Sequence, residues 1–237
     1  MILVTTAGKV GAEAARPLAL RAEPVRVLVR DPDKAKALAE AGAEVAVGDL
    51  DVPATVDAAM ADVTAVILVS PAVPEQELNV VASAARAGVG HVVKATSKAS
   101  ADSPIARRRG QTEIEAGLAA SGLPHTLLRS NAYMQNVLML APAIAATSGF
   151  GSAAGKGRAG MIDARDVAAV AAGIAAENKD AMNRAGVPAA IAEMNAQAFR
   201  LTASGDAEWV SDDVPSILGR PARSFRQFAA DYAGAFS

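Results

Sequence analysis

MILVTTAGKVGAEAA, residues 1–15, sets a short apolar run, Ile2-Leu3-Val4, against a loop of small residues, Thr5-Thr6-Ala7-Gly8-Lys9-Val10-Gly11, and then an Ala-rich segment. A strand, a tight turn and a helix follow one another within fifteen residues. The same unit recurs. Apolar runs stand at 2–5, 25–29, 44–47, 65–69, 91–95 and 125–129, and segments of helical spacing lie between them at 9–22, 32–41, 53–60, 75–87 and 104–121. Runs that are continuously Val, Ile and Leu suit strands covered on both faces, as in a parallel sheet. Strict β-α alternation at this spacing predicts right-handed crossovers and an α/β, doubly wound parallel sheet.

Local signals place the helix ends. Asp31-Pro32 opens one helix with Pro at its first position, and Gly42 closes it. Ser103-Pro104 reads as a cap followed by a first turn, and Ser121-Gly122 as the exit of that helix. Pro17 is expected to kink or shorten the first helix. From about residue 132 the alternation stops: 132–146 is apolar with helical spacing, 148–160 is Gly-rich, and 163–177 is an Ala/Val helix with Asp163 and Asp166 as its caps. The tail reads as further helices at 179–185, 187–203, after Ser211-Asp212-Asp213, and at 223–235, with Trp209 packed over the sheet edge. The expected organisation is a main domain at 1–177 and a small helical region at 178–237 on its substrate side.

Composition narrows the chemistry. The chain has 237 residues, 51% hydrophobic and 20% charged, with a formal charge of −2 and no cysteine. At roughly 150 residues per domain this is one large domain or one domain plus a cap. Without cysteine there is no disulfide, thiolate-bound zinc or thiol nucleophile, and with only two histidines, His91 and His125, no multi-histidine metal site is expected. The balanced charge gives no footprint for nucleic acid. No apolar run approaches the ~20 residues of a membrane span. Met1 leads straight into Ile2-Leu3-Val4 with no basic leader, so a cytoplasmic location is expected.

In an open parallel sheet, ligands bind at the carboxyl edge where the strand order reverses. The loop Thr6, Ala7, Gly8, Lys9, Val10, Gly11 leaves the first strand at that edge. Small residues let backbone approach a diphosphate, and the helix N-terminus offers unpaired N–H groups and a positive dipole end. Two glycines after a strand also make a plain turn; their position in a βαβ unit favours the dinucleotide loop of a Rossmann fold. At the end of the second strand Arg30 precedes Asp31. A guanidinium there suits the 2′-phosphate of NADP, whereas the plainer reading is a solvated strand end paired with Asp31 or Asp33. Asp49 and Leu50 after strand three fit the adenine side, and Val69, Ser70 and Pro71 after strand four fit the space beneath the nicotinamide ribose.

Together these stretches resemble the NmrA-like group of atypical short-chain dehydrogenase/reductases, and within it the bacterial NAD(P)H:quinone oxidoreductase-like members. The resemblance rests on VTTAGKVG (4–11), VRVLVRDPDKA (25–35), GDLDVPATVDAAM (48–60), AVILVSP (65–71) and AARAGVGHVVKATS (84–97). It continues through SGLPHTLLRSNAYMQN (121–136), MIDARDVAAVAA (161–172) and the tail at 210–236. It implies a Rossmann fold, NADP(H) as cofactor with NAD(H) as the alternative, and a small electrophile such as a quinone as partner, with a homodimer compatible. Two departures stand out. The group's first loop usually reads T-G-A-T-G-x-x-G; here it is one residue shorter, with Thr6 where the first glycine would be. The group also carries a further strand–helix–strand after the D-x-x-D-V-A helix, whereas here Glu177 runs almost directly into Asn178-Lys179-Asp180.

The usual Tyr-x-x-x-Lys pair of short-chain dehydrogenases is missing, because Val137 and Phe236 stand four residues after Tyr133 and Tyr232. That disfavours carbonyl reduction and epimerisation. Hydride transfer to an electron-poor acceptor needs mainly proximity and orientation, with protons from solvent. Candidates for the reacting side are Lys94, Thr96 and Ser97 after strand five, and Asn131, Tyr133 and Asn136 after strand six. Lys94 is expected to donate to a ribose or carbonyl oxygen, or else to be a snorkelling surface lysine; Asn131 to hold the carboxamide or ribose, to cap the next helix, or both; Tyr133 to cover a flat ring or to be core. His91, His125 and the run Arg107-Arg108-Arg109 read as structural or solvated. The leading expectation is an NADPH-dependent reductase of a quinone-like acceptor; the competing one is a non-catalytic NAD(P)-sensing regulator.

Overall fold

The computed structural model describes residues 1–149, 160–181 and 213–235. Six strands, β1 (Ile2–Val4), β2 (Val25–Val29), β3 (Glu44–Val47), β4 (Ala65–Leu68), β5 (His91–Thr96) and β6 (His125–Arg129), form one sheet in the order β3-β2-β1-β4-β5-β6. Every neighbouring pair is parallel. β1, β2 and β4 are buried along their whole length, as continuous apolar strands require, while the edge strands β3 and β6 are not.

Two apolar layers cover the sheet. On one face α1 (Gly11–Leu20) and α7 (Ala164–Ala181) pack on Ile2, Val4, Val27, Ile67 and Val93. On the other, α3 (Pro53–Ala59), α4 (Pro74–Ala87) and α5 (Ala106–Ala120) cover Leu3, Leu28, Val66, Leu68 and Val92. α1 and α4 thus leave the neighbouring strands β1 and β4 toward opposite faces, which opens the crevice of a doubly wound fold between them.

Helix boundaries follow the local chemistry with instructive shifts. Asp31 caps a short 3-10 turn at Pro32–Ala35, accepting a hydrogen bond from Asp33 N–H, and α2 (Lys36–Glu40) continues from it to Gly42 at φ 103°. Pro17 neither ends nor splits α1; its carbonyl accepts from both Arg21 N–H and Arg21 Nε. Ser103 accepts from Ile105 N–H but does not cap the helix, which starts at Ala106. Beyond β6 the chain forms a two-residue strand β7 (Ala132–Tyr133), a 3-10 turn (Met134–Leu140) and α6 (Ala141–Thr147). β7 pairs in parallel with β8 (Met161–Ile162). The expected helix at 187–203, and Trp209, lie outside the described residues, and α7 runs on across the expected division after residue 177. No described helix is long and apolar enough to cross a membrane.

The tail returns to the domain through α8 (Asp213–Leu218) and α9 (Phe225–Asp231), which Ser224 and Gln227 open with a capping box. Phe228 is fully buried between Phe225 and Tyr232. Asp163 caps α7 as expected, accepting from Arg165 N–H at 2.8 Å. Asp166 does not cap. It lies within the first turn of the helix, fully buried, where Arg220 (2.9 Å) and Arg223 (2.6 Å) reach it from the tail and Arg223 N–H donates to it at 2.7 Å.

Removing one partner of a buried pair leaves the other uncompensated. Asp166→Ala is therefore expected to cost about 3 kcal/mol in denaturant unfolding, the low end for a broken buried pair because both arginines also reach water. Limited proteolysis should show new cleavage within 213–235. A loss below about 0.5 kcal/mol, the scale of an ordinary surface substitution, would mean that the tail is held by Phe228, Val214 and the Arg165–Asp231 pair rather than by Asp166.

Candidate functional site

The first loop closes with an approach that only glycine permits. A Cβ on Gly11 would lie 1.8 Å from Thr6 O and 3.2 Å from Val4 Cγ1. Gly8 is under no such demand, its nearest neighbour being Thr6 Oγ1 at 3.7 Å. Thr6 itself is not among the residues with positive φ, so a threonine in place of the group's first glycine brings no left-handed strain. Val10, at the start of α1, offers no side-chain cap and is buried, so nothing from its own side chain covers the helix N-terminus.

Thr5 is the residue that sequence reasoning missed. Its buried hydroxyl donates to Val69 O (2.7 Å) and accepts from Val69 N–H (2.9 Å), lacing the end of β1 to the end of β4 at the floor of the crevice. A hydroxyl-bearing, β-branched residue directly after an edge-directed strand was the available signal. Lys9 and Asn136, 127 positions apart, meet at 3.3 Å, so the first loop touches the segment that follows β7.

At the end of β2, Arg30 is exposed and pairs at a distance with Asp49, 3.9 Å away. Asp49 N–H is fixed by Thr55 Oγ1 at 2.9 Å. The Leu50 side chain is buried in the second apolar layer and its carbonyl accepts from Asn79, so it is a core residue whose side chain does not reach the edge.

The expectations for Lys94 and Thr96 need correction. Lys94 neither lines the crevice nor snorkels: its side chain is fully buried, 2.7 Å from the equally buried Glu77 of α4 and 2.6 Å from Ala95 O. Burial holds its amine below the ordinary lysine range, while Glu77 pulls the other way. Thr96, two residues on and hence on the same face of β5, turns its hydroxyl to Gln111 Oε1 of α5 at 2.8 Å. The Ser70 hydroxyl donates to the buried Glu77 Oε1 at 2.5 Å. Pro71, Val73 and Pro74 face Ala106, Arg107 and Gly110 across an open groove of about 450 Å³.

After β6, Ser130 Oγ lies 3.1 Å from Thr96 O and 3.1 Å from the Tyr133 phenol oxygen, with the Ser130 hydroxyl as the donor. Burial pushes the Tyr133 phenol above its ordinary range, with Ser130 and Arg107 opposing. A phenol held so is a poor proton donor near neutrality. Among the described residues the half-buried Asn131 amide makes no hydrogen bond, and it does not cap the following turn. Gln135 instead ties that turn to α7, donating to Asp163 and accepting from Ala164 N–H. His91 and His125 have structural partners, Thr126 Oγ1 and Leu123 O.

Gly11→Ala should displace the first loop and lower the thermal midpoint, because the clashing atom is backbone rather than a movable side chain. Gly8→Ala should leave the midpoint within about 2 °C, an effect well under 1 kcal/mol for a domain of this size. Differential scanning calorimetry of the two variants checks this, and equal effects would remove the steric distinction.

The NmrA-like family matches residues 1–196. An NAD(P)H azoreductase of Xenophilus azovorans is 32% identical over 282 aligned positions, covering 100% of this chain and 99% of that protein. A (4-alkanoyl-5-oxo-2,5-dihydrofuran-3-yl)methyl phosphate reductase of Streptomyces griseus is 34% identical over 285 positions, with the same coverage. Both alignments are longer than the 237 residues here, so this chain is shorter than those relatives. Quinone oxidoreductase 2 of Escherichia coli is 33% identical over 160 residues, 66% of this chain and 56% of that protein. The Escherichia coli NADPH-dependent quinone oxidoreductase solved with NADPH has the same fold, at a TM-score of 0.76 and 24% identity over 98% of this chain and 100% of that one. A six-stranded doubly wound sheet, a glycine-limited first loop and this match over most of the sequence lead to one conclusion: the chain belongs to the NmrA-like family.

Proposed function

We propose that the protein is an NADPH-dependent oxidoreductase whose acceptor is a quinone-like or other conjugated electrophile. One observation carries the reading: the Gly11-limited loop and the little-engaged Arg30 guanidinium stand on adjacent strand ends, β1 and β2. The loop and the start of α1 suit a diphosphate, and Arg30, at the end of the neighbouring strand, suits a 2′-phosphate. The relatives support the acceptor class, since an azo group and an acyl dihydrofuranone are both conjugated and electron-poor.

The coenzyme, when bound, supplies the hydride. The chain's own residues bind and orient. Backbone N–H groups of Gly8, Lys9, Val10 and Gly11 hold the diphosphate, with Thr6 and Ala7 shaping the loop. Asp49 faces the adenine side. The backbone of Val69, Ser70 and Pro71 lies beneath the nicotinamide ribose, and the free Asn131 amide is placed to hold the carboxamide. Asn136 and Lys9 close the loop from above. Tyr133, half-buried beside Ser130, forms a flat wall, and protons for the reduced acceptor come from water. Hydride transfer to an electron-poor acceptor asks for this positioning and little more.

Calorimetric titration should give tight NADPH binding, and steady-state assays should show NADPH oxidation with at least one of a panel of quinones and azo dyes. Tight binding with no turnover on any acceptor would instead assign the coenzyme-sensing role, and absence of heat with either nucleotide would overturn both. Arg30→Ala should lose about 1.5–3 kcal/mol of NADPH affinity, the range for hydrogen bonds to charged groups, and spare NADH. Equal loss for both coenzymes, or for neither, would remove Arg30 from the 2′-phosphate.

A further inference from the structure

Glu77 and Lys94 are both fully buried, and as an ion pair they are a poor investment in stability. Removing two charges from water is costly, and well-packed apolar replacements for such pairs are often neutral or stabilising. The pair is also incomplete. Lys94 donates to Glu77 Oε1 at 3.0 Å and approaches Oε2 at 2.7 Å, yet Oε2 accepts no hydrogen bond. What the carboxylate does accomplish is local. Ser70 donates to the same Oε1 at 2.5 Å, and Ser70 Oγ accepts from Ala72 N–H at 3.0 Å. Ala72 has φ 64°, a conformation that a non-glycine residue adopts at a cost and keeps only when its surroundings hold it. The bend from 69 to 72 is thus pinned at one end by Thr5 on the Val69 backbone and at the other by the Lys94–Glu77–Ser70 chain.

We infer that Glu77 and Lys94 are positioning residues: their buried pair holds Ser70, and through Ser70 the bend at 69–72, in the shape that the nicotinamide half of the coenzyme rests on. The inference builds on the proposed function for its ligand, but its mechanical part stands in the free protein. Neither residue touches coenzyme or acceptor. Each acts through Ser70.

The decisive variant is the double replacement Glu77→Leu with Lys94→Met, which removes both charges together and keeps the volume. Its thermal midpoint should stay near or above that of the wild type. In the coenzyme-free protein, hydrogen exchange at the Ala72 amide should nevertheless speed up at least tenfold, although Ser70 is untouched. KM for NADPH should rise at least fivefold with a smaller change in kcat. Ser70→Ala, which leaves the pair intact, should raise KM likewise with little change in midpoint. Unchanged exchange at Ala72 in the double variant, or unchanged KM in both, would overturn the inference and leave the pair a plain interior staple. If the double variant does not fold, Ser70→Ala decides: a raised KM for NADPH at an unchanged midpoint supports the tether, and an unchanged KM overturns it. Failure of the wild type to bind NADPH would defeat the proposed function, while the exchange at Ala72 would still report on the tether.

Discussion

Between Gly11 and the carbonyl of Thr6 there is no room for a methyl group, and the carboxyl edge is built around that approach. Because the loop folds so closely on itself, α1 starts directly over the end of β1, and its uncapped first turn faces the crevice. The same compactness leaves Thr5 at the strand end, free to lace β1 to β4 through both backbone groups of Val69. A larger loop would lift α1 away and open a gap between those two strands. Backbone packing thus sets both the shape of the crevice and the direction in which its donors point.

Most of the sheet could be read from the residues because each strand carries its own evidence. Val25–Val29, Glu44–Val47 and His125–Arg129 match their apolar runs to the residue. Parallel order followed from the alternation, since only crossovers connect such strands. Helix starts were less legible. Ser103 carries the chemistry of a cap, yet its oxygen takes the Ile105 N–H in a local turn, and the helix waits until Ala106. Asp166 looked like a cap beside Asp163, but its partners Arg220 and Arg223 lie in the tail, beyond the reach of local pattern.

The candidate site was legible where strand ends place its residues and obscure where side-chain direction decides. The first loop, Arg30 and Asp49 stand at adjacent strand ends, and Lys9 and Asn136 meet as two members of one proposed cleft. Lys94 and Thr96 were misplaced for a single reason. On a strand covered on both faces, period-two alternation says that positions 92, 94 and 96 share a face without saying which face or what covers it. Here that face meets α4 and α5, whose Glu77 and Gln111 claim both polar side chains. Tyr133 was ambiguous in the same way, and the structure sets its phenol oxygen beside the Ser130 hydroxyl.

The tail that clasps Asp166 also bears on how the chain is made. A ribosome adds roughly 5–20 residues per second, and Arg223 lies 57 positions downstream of Asp166. For some seconds during synthesis the long helix against the sheet is complete except for the counter-charges of its inward carboxylate. Until they arrive, that carboxylate draws water to a helix whose other inward residues are alanine and valine. Final docking of the helix is thereby coupled to the arrival of Arg220 and Arg223, and a nascent chain that stalls short of Arg220 exposes a charged, half-seated element to the cell's quality-control machinery.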